Sequence, residues 1–223
     1  MEMFKIKNEL TNRIFTIIIL LPILLYATIY SGIYLILLLI IFYFLSVYEI
    51  IINTKNILFI LLSSILLIFS FFSFYFLRGE TEYNLVILLW ILTSTFLSDI
   101  GGYIFGRLLK GKKLTKISPN KTYSGAIGSI VLSCLSLPLI NLLQIYFFNE
   151  KLVIFLQLKF LIFTFFISVV CQIGDLFVSF LKRKINIKNI SNFLPGHGGV
   201  LDRIDGLIFV LIFCFNLRIF ELI

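Results

Sequence analysis

Windows of roughly 20 residues with almost no charge recur along the whole chain, the length a helix needs to cross ~30 Å of hydrocarbon. Short polar connections separate them, and seven spans are predicted from that pattern. Residues 14–52 are too long for one crossing, and a break near Tyr30, Ser31 and Gly32 divides them in two. The remaining spans are expected over 57–77, 84–106, 124–147, 159–181 and 204–220, and a partial segment at 152–158 would be an eighth. The expected fold class is thus all-α and integral to a membrane, a polytopic helical bundle of about seven transmembrane helices. Residues 1–90 read as transmembrane scaffold, because the first 80 hold no constellation of polar groups. Everything that could carry chemistry falls between Ser98 and Asp205, which makes 91–223 the expected catalytic region, with polar loops at 107–123 and 182–203.

Composition turns the spans from an option into a requirement. Hydrophobic residues make up 60% of the 223 positions and charged residues 13%, with a mean hydropathy of +1.09. No single soluble core could hide that much apolar surface. The net charge of +8 raises nucleic acid as a partner, but its distribution argues against one. Lys and Arg sit in the connections between apolar runs, where membrane topology and anionic phosphates use them. With Lys5, Lys7 and Arg13 in the cytoplasm, 15 of the 19 basic residues fall on one side of a seven-span chain. An inner (plasma) membrane location is expected, with the polar region facing the cytoplasm. Cys134, Cys171 and Cys214 lie inside apolar stretches without metal-ligand spacing and read as small buried hydrophobes.

Four features could carry chemistry. Ser98, Asp99, Gly102, Gly106 and Arg107 lie near one end of the fourth span. A carboxylate at that depth is costly and marks a functional site by default, unless it snorkels to the interface or pairs with Arg107. Gly102 and Gly106, four apart, permit close helix packing. Next, Ser118, Pro119, Asn120, Lys121 and Thr122 lead into a helix with Gly125 and Gly128. Helix-start N–H groups beside a lysine suit a phosphate, although a plain loop and cap would look the same. Asp175, Ser179 and Lys182 fall within about 60° of one another on a helix, so one stripe presents an acid, a hydroxyl and a cation, with Arg183 following. Finally, Pro195, Gly196, His197, Gly198 and Gly199 precede Asp202, Arg203 and Asp205. Three glycines let backbone approach a ligand closely and flank the chain's single histidine. Together these supply oxygen ligands for a hard divalent ion, which points to Mg²⁺, and Lys and Arg for phosphates. Phosphoryl and nucleotidyl transfer use those parts, because catalysis there is mainly positioning and charge neutralisation.

The run from Ser179 through Lys182, Arg183, Lys188 and Ser191 to Leu194–Asp205 resembles the signature of the phosphatidate cytidylyltransferase family over 27 residues. Asp99 with its glycines and the segment Ser118–Thr122 resemble the family's upstream motifs in the same order. The resemblance implies that CTP and phosphatidic acid react to CDP-diacylglycerol and pyrophosphate. It implies that Asp175 and Asp202 hold metal, with a monovalent cation such as K⁺ also used. Ser179, Lys182 and Arg183 would then hold phosphates or metal, Arg203 would balance charge, and Asp205 completes the acidic set. Asp99, Lys121, Thr122, Lys188, Gly196, Gly198 and Gly199 would shape the nucleotide and phosphate pocket with His197. A homodimer among membrane lipids is expected on the same ground. Two positions depart from the family pattern: Ser124 and Asn189 stand where acids are usual. Two other classes remain open at this point. One is a transporter or flippase that uses Asp99 and Asp175 as a relay; the other is a related lipid kinase or cytidylyltransferase acting on another lipid.

Overall fold

With no water in hydrocarbon to satisfy backbone N–H and C=O groups, an apolar run must close its hydrogen bonds internally, and here each becomes helix. A computed structural model describes residues 18, 20–115, 118, 121–148, 153, 155–184, 187 and 199–220. The first helix, α1, is Leu20–Tyr30. It is followed by α2 (Gly32–Asn53), α3 (Ile57–Arg78), α4 (Glu82–Leu109), α5 (Tyr123–Ser133), α6 (Ser136–Phe148), α7 (Leu158–Lys184) and α8 (Leu201–Ile219). The division of the first apolar stretch falls at Ser31, whose φ of 55° is followed by a φ of 56° at Gly32. Two successive residues in the left-handed region cannot continue a right-handed helix.

Among the described residues five segments are long and apolar enough to cross a membrane: α2, α3, α4, α5 with α6, and α7. The helix α8 is apolar beyond its first turn, but it carries Asp202, Arg203, Asp205 and Arg218 within its 19 residues. Residues 124–147, expected as one span, are two helices that meet at Cys134 and Leu135. Pro138 explains the interruption: its ring crowds the carbonyl four residues back, that of Cys134, and it has no N–H to donate there. The segment at 152–158 is not a further helix where it is described. Val153 and Phe155 lie in a turn, with Gln144 Oε1 accepting from Val153 N at 2.8 Å and Asn141 Oδ1 accepting from Phe155 N at 3.2 Å.

The chain divides into two compact units, residues 1–71 with 182–204, and residues 72–181 with 205–223. In the second unit α4 packs on α5 through the small-residue face expected of it. A methyl group on Gly102 would lie 2.8 Å from Ser129 Oγ, and one on Gly106 3.2 Å from Thr122 Oγ1. Side-chain hydroxyls tie α4 to its other neighbours, Ser94 to Ser136 at 2.7 Å and Ser98 to Ser168 at 2.8 Å. Such pairs replace the hydrophobic driving force that lipid removes. Trp90 is fully buried against Phe155 and Phe160, and its Nε1 donates to Thr164 Oγ1 at 3.1 Å. Close α7–α8 packing rests on Gly174, against Phe209, and on Gly206, against Cys171. The first unit contains α1, α2, most of α3, the end of α7 and the start of α8.

Candidate active site

In the larger unit, the loop from 110 to 122 is drawn together by its own backbone. Leu114 N donates to Lys121 O at 2.7 Å and Tyr123 N to Lys112 O at 3.0 Å, which brings Lys113 and Thr122 into a single antiparallel bridge. Lys121 emerges from this closure and its Nζ lies 3.0 Å from Asp175 Oδ2. The next residue, Thr122, caps α5, its hydroxyl accepting from Gly125 N at 3.1 Å. The plain-cap reading of Thr122 is therefore seen directly. Ser124 accepts from Gly111 N at 3.2 Å and so helps hold the same loop.

The buried thiol of Cys171 faces Asp99 and, across Gly206, Asp175. The Sγ donates to Asp99 Oδ1 at 3.3 Å. Asp99 itself is exposed, while Arg107 donates to Tyr103 Oη at 2.8 Å. A methyl on Gly206 would sit 2.7 Å from Cys171 Sγ and 3.1 Å from Asp175 Oδ1, so only glycine lets the acid approach α8 at this point. Asp205 Oδ1 accepts from Gly206 N at 3.0 Å. Ser179, half-buried, lies one turn beyond Asp175 on α7.

The smaller unit contains a second lysine–carboxylate pair. Lys182, 9% exposed, places Nζ 2.7 Å from Asp202 Oδ1. The other oxygen, Oδ2, accepts from Gly199 N at 3.2 Å, so both oxygens of Asp202 are engaged in the first turn of α8. Negative charge there is favoured by the helix dipole. Arg183 is exposed, with Nη1 3.4 Å from Ile187 O, and Arg203 is exposed with its N donating to Val200 O. Lys188, Gly196, His197 and Gly198 lie outside the described residues.

Reading for polar clusters passes over Glu49. It is 2% exposed on α2, and its Oε1 and Oε2 accept from Val200 N at 2.8 Å and Leu201 N at 3.0 Å. The available signal is its isolation: Glu49 is the sole charged residue in the apolar stretch 14–52, and an ionisable group in such a run is functional by default.

These features define a polytopic helical membrane protein in which loop and helix-end lysines hold carboxylates at two positions. Residues 52–220 match the model of the Cytidylyltransferase family. The chain belongs to this family. It is 37% identical over 130 residues to a phosphatidate cytidylyltransferase of Helicobacter pylori, covering 57% of this chain and 45% of that one. A phosphatidate cytidylyltransferase of Bacillus subtilis is 36% identical over 160 residues, 71% of this chain and 57% of its own. One of Rickettsia prowazekii is 39% identical over 152 residues, 64% and 63% of the two chains. The matches thus span 45% to 63% of these relatives' own lengths.

Proposed function

We propose that this chain is a phosphatidate cytidylyltransferase, transferring the CMP moiety of CTP to phosphatidic acid. A phosphate oxygen of phosphatidate attacks the α-phosphorus of CTP and forms the new P–O bond. The bond from the α-phosphorus to the bridging oxygen breaks, and pyrophosphate leaves with that electron pair. The observation that carries this reading is the Lys182–Asp202 pair at 2.7 Å, which joins two ends of the signature in a chain whose family and named relatives are cytidylyltransferases. A general base is not required, since the phosphate monoester is already anionic and positioning supplies most of the rate.

Lys121, Lys182 and Arg183 bind phosphate oxygens in this scheme, Arg203 balances charge, and Ser179 adds a hydroxyl. Asp175 and Asp202 are the metal-holding carboxylates. Their donor chemistry fits: they are hard oxygen ligands, as Mg²⁺ prefers. Among the described residues no three His, Cys, Asp or Glu side chains converge on one point. Mg²⁺ is usually held by one or two carboxylates and completed by water and substrate phosphates. Bound Mg²⁺ would neutralise phosphate charge, with K⁺ as a second cation. Asp205 and Asp99 extend the acidic set, while Lys188 and the loop Gly196, His197, Gly198 and Gly199 shape the nucleotide pocket. We place the protein in a bacterial inner (plasma) membrane with this region towards the cytoplasm, as a homodimer. A transporter is less well supported, since the named relatives are transferases.

The test is CTP- and Mg²⁺-dependent formation of CDP-diacylglycerol by the detergent-purified chain. Asp202→Asn is expected to lower the rate by on the order of 100-fold or more, beyond the 10- to 100-fold typical of groups that only support a metal ligand. A folded wild type that makes no CDP-diacylglycerol from any phosphatidate would sink the proposal.

A further inference from the structure

The buried carboxylate of Glu49 has no role in the reaction scheme, yet it is the group on which the turn before α8 rests. Both its oxygens accept backbone N–H groups, from Val200 at 2.8 Å and Leu201 at 3.0 Å. Those are among the first N–H groups at the start of α8, which have no partner within the helix. The contact is tight: a methyl on Gly199 would lie 2.8 Å from Glu49 Oε2 and 3.0 Å from Oε1. Asp202 follows directly, taking the Gly199 N–H on one oxygen and Lys182 Nζ on the other. Glu49, Gly199, Val200, Leu201, Lys182 and Asp202 all belong to one compact unit. A full charge on a 2% exposed side chain is expensive unless hydrogen-bonded, so a purely packing residue at position 49 would be apolar. Glu49 also lies before residue 52, where the family match begins.

We propose that Glu49 is a positioning residue for the transferase reaction. By gripping the backbone of Val200 and Leu201 from α2, it fixes where Asp202 is presented to Lys182 and to substrate. This rests on the function proposed above, because the group being positioned is one of its carboxylates. A glutamine of the same shape cannot replace it: only one of its two head atoms accepts, and the other is a donor facing a donor.

The test uses the full chain in detergent, comparing wild type, Glu49→Gln and Glu49→Asp by amide hydrogen exchange and steady-state kinetics. In Glu49→Gln, exchange at Val200 and Leu201 is expected to accelerate by roughly 10- to 100-fold, the range for losing a hydrogen bond to a charged group. The kcat should fall by a similar factor while KM for CTP moves little, and Glu49→Asp should recover part of both. Full kcat in Glu49→Gln despite accelerated exchange at the two amides overturns the proposal. So does a loss of kcat accompanied by faster exchange throughout α2 and α8, which marks a merely structural role. A wild type that is inactive towards CTP and phosphatidate, yet protected at Val200 and Leu201, overturns the reaction and leaves the clamp itself supported.

Discussion

A lysine held by a carboxylate at about a quarter exposure contributes little to stability, and that makes the Lys121–Asp175 pair a useful discriminator. Its side chains are 28% and 26% exposed, and ion pairs of that kind are worth about 0–1 kcal/mol. If Lys121 exists to bind phosphate, Lys121→Met should leave the thermal midpoint almost unmoved while kcat/KM for CTP falls. A drop of roughly 10- to 100-fold corresponds to one lost charge-assisted hydrogen bond; a large fall in midpoint with unchanged kcat/KM would assign the pair to structure. At this scale the sequence is a good guide wherever charge and spacing carry the information. The stripe holding Asp175 and Lys182 is on α7, and Asp202 stands in the first turn of α8 as its spacing requires. Glu49 escapes because its partners are backbone amides 151 and 152 positions away. A backbone N–H has no side-chain identity for a motif to reveal.

The same division between local and distant information governs the helices. Runs of apolar residues specify that helices form, and the left-handed pair at Ser31 and Gly32 falls where small polar residues interrupt the first run. The break at Cys134 is set by a proline four residues later, a local rule whose effect is easily missed inside an apolar run. The α4–α5 contact is different, since GxxxG spacing declares a close-packing face but not its partner. The structure supplies the partner and a graded prediction. A methyl on Gly101 would meet the backbone carbonyl of Gly128 and lie 2.9 Å from Leu132 Cβ, whereas one on Gly102 meets first the rotatable hydroxyl of Ser129 at 2.8 Å. Gly101→Ala should therefore lower stability by about 1–3 kcal/mol, the usual cost of overpacking. Gly102→Ala should cost clearly less, because Ser129 can turn away. Thermal unfolding of the two variants in one detergent compares them directly, and equal losses would show that α5 yields as a body at both points.

For the molecule as a whole the open variable is which end faces which compartment, and α4 offers the cleanest handle. Its 28 residues extend about 42 Å at 1.5 Å per residue, more than the ~30 Å of hydrocarbon. Glu80, just before the helix, and Lys113, just after it, must then be on opposite sides if α4 crosses. The loop after α4 carries Lys110, Lys112, Lys113 and Lys121, and excess Lys and Arg marks the cytoplasmic side. Cysteines introduced as Glu80→Cys and Lys113→Cys, in a background with Cys134, Cys171 and Cys214 replaced by alanine, convert this into a labelling experiment. In intact cells a membrane-impermeant maleimide should reach position 80 and not 113, and in inverted vesicles the preference should reverse. A uniformly inverted result would move the proposed phosphate-binding loop away from cytoplasmic CTP, which the reaction cannot tolerate. Labelling of both positions from one side would mean that α4 does not cross. The orientation test thus bears on the chemistry as directly as any substitution in the site, because a nucleotide confined to one compartment fixes which face of the bundle can work.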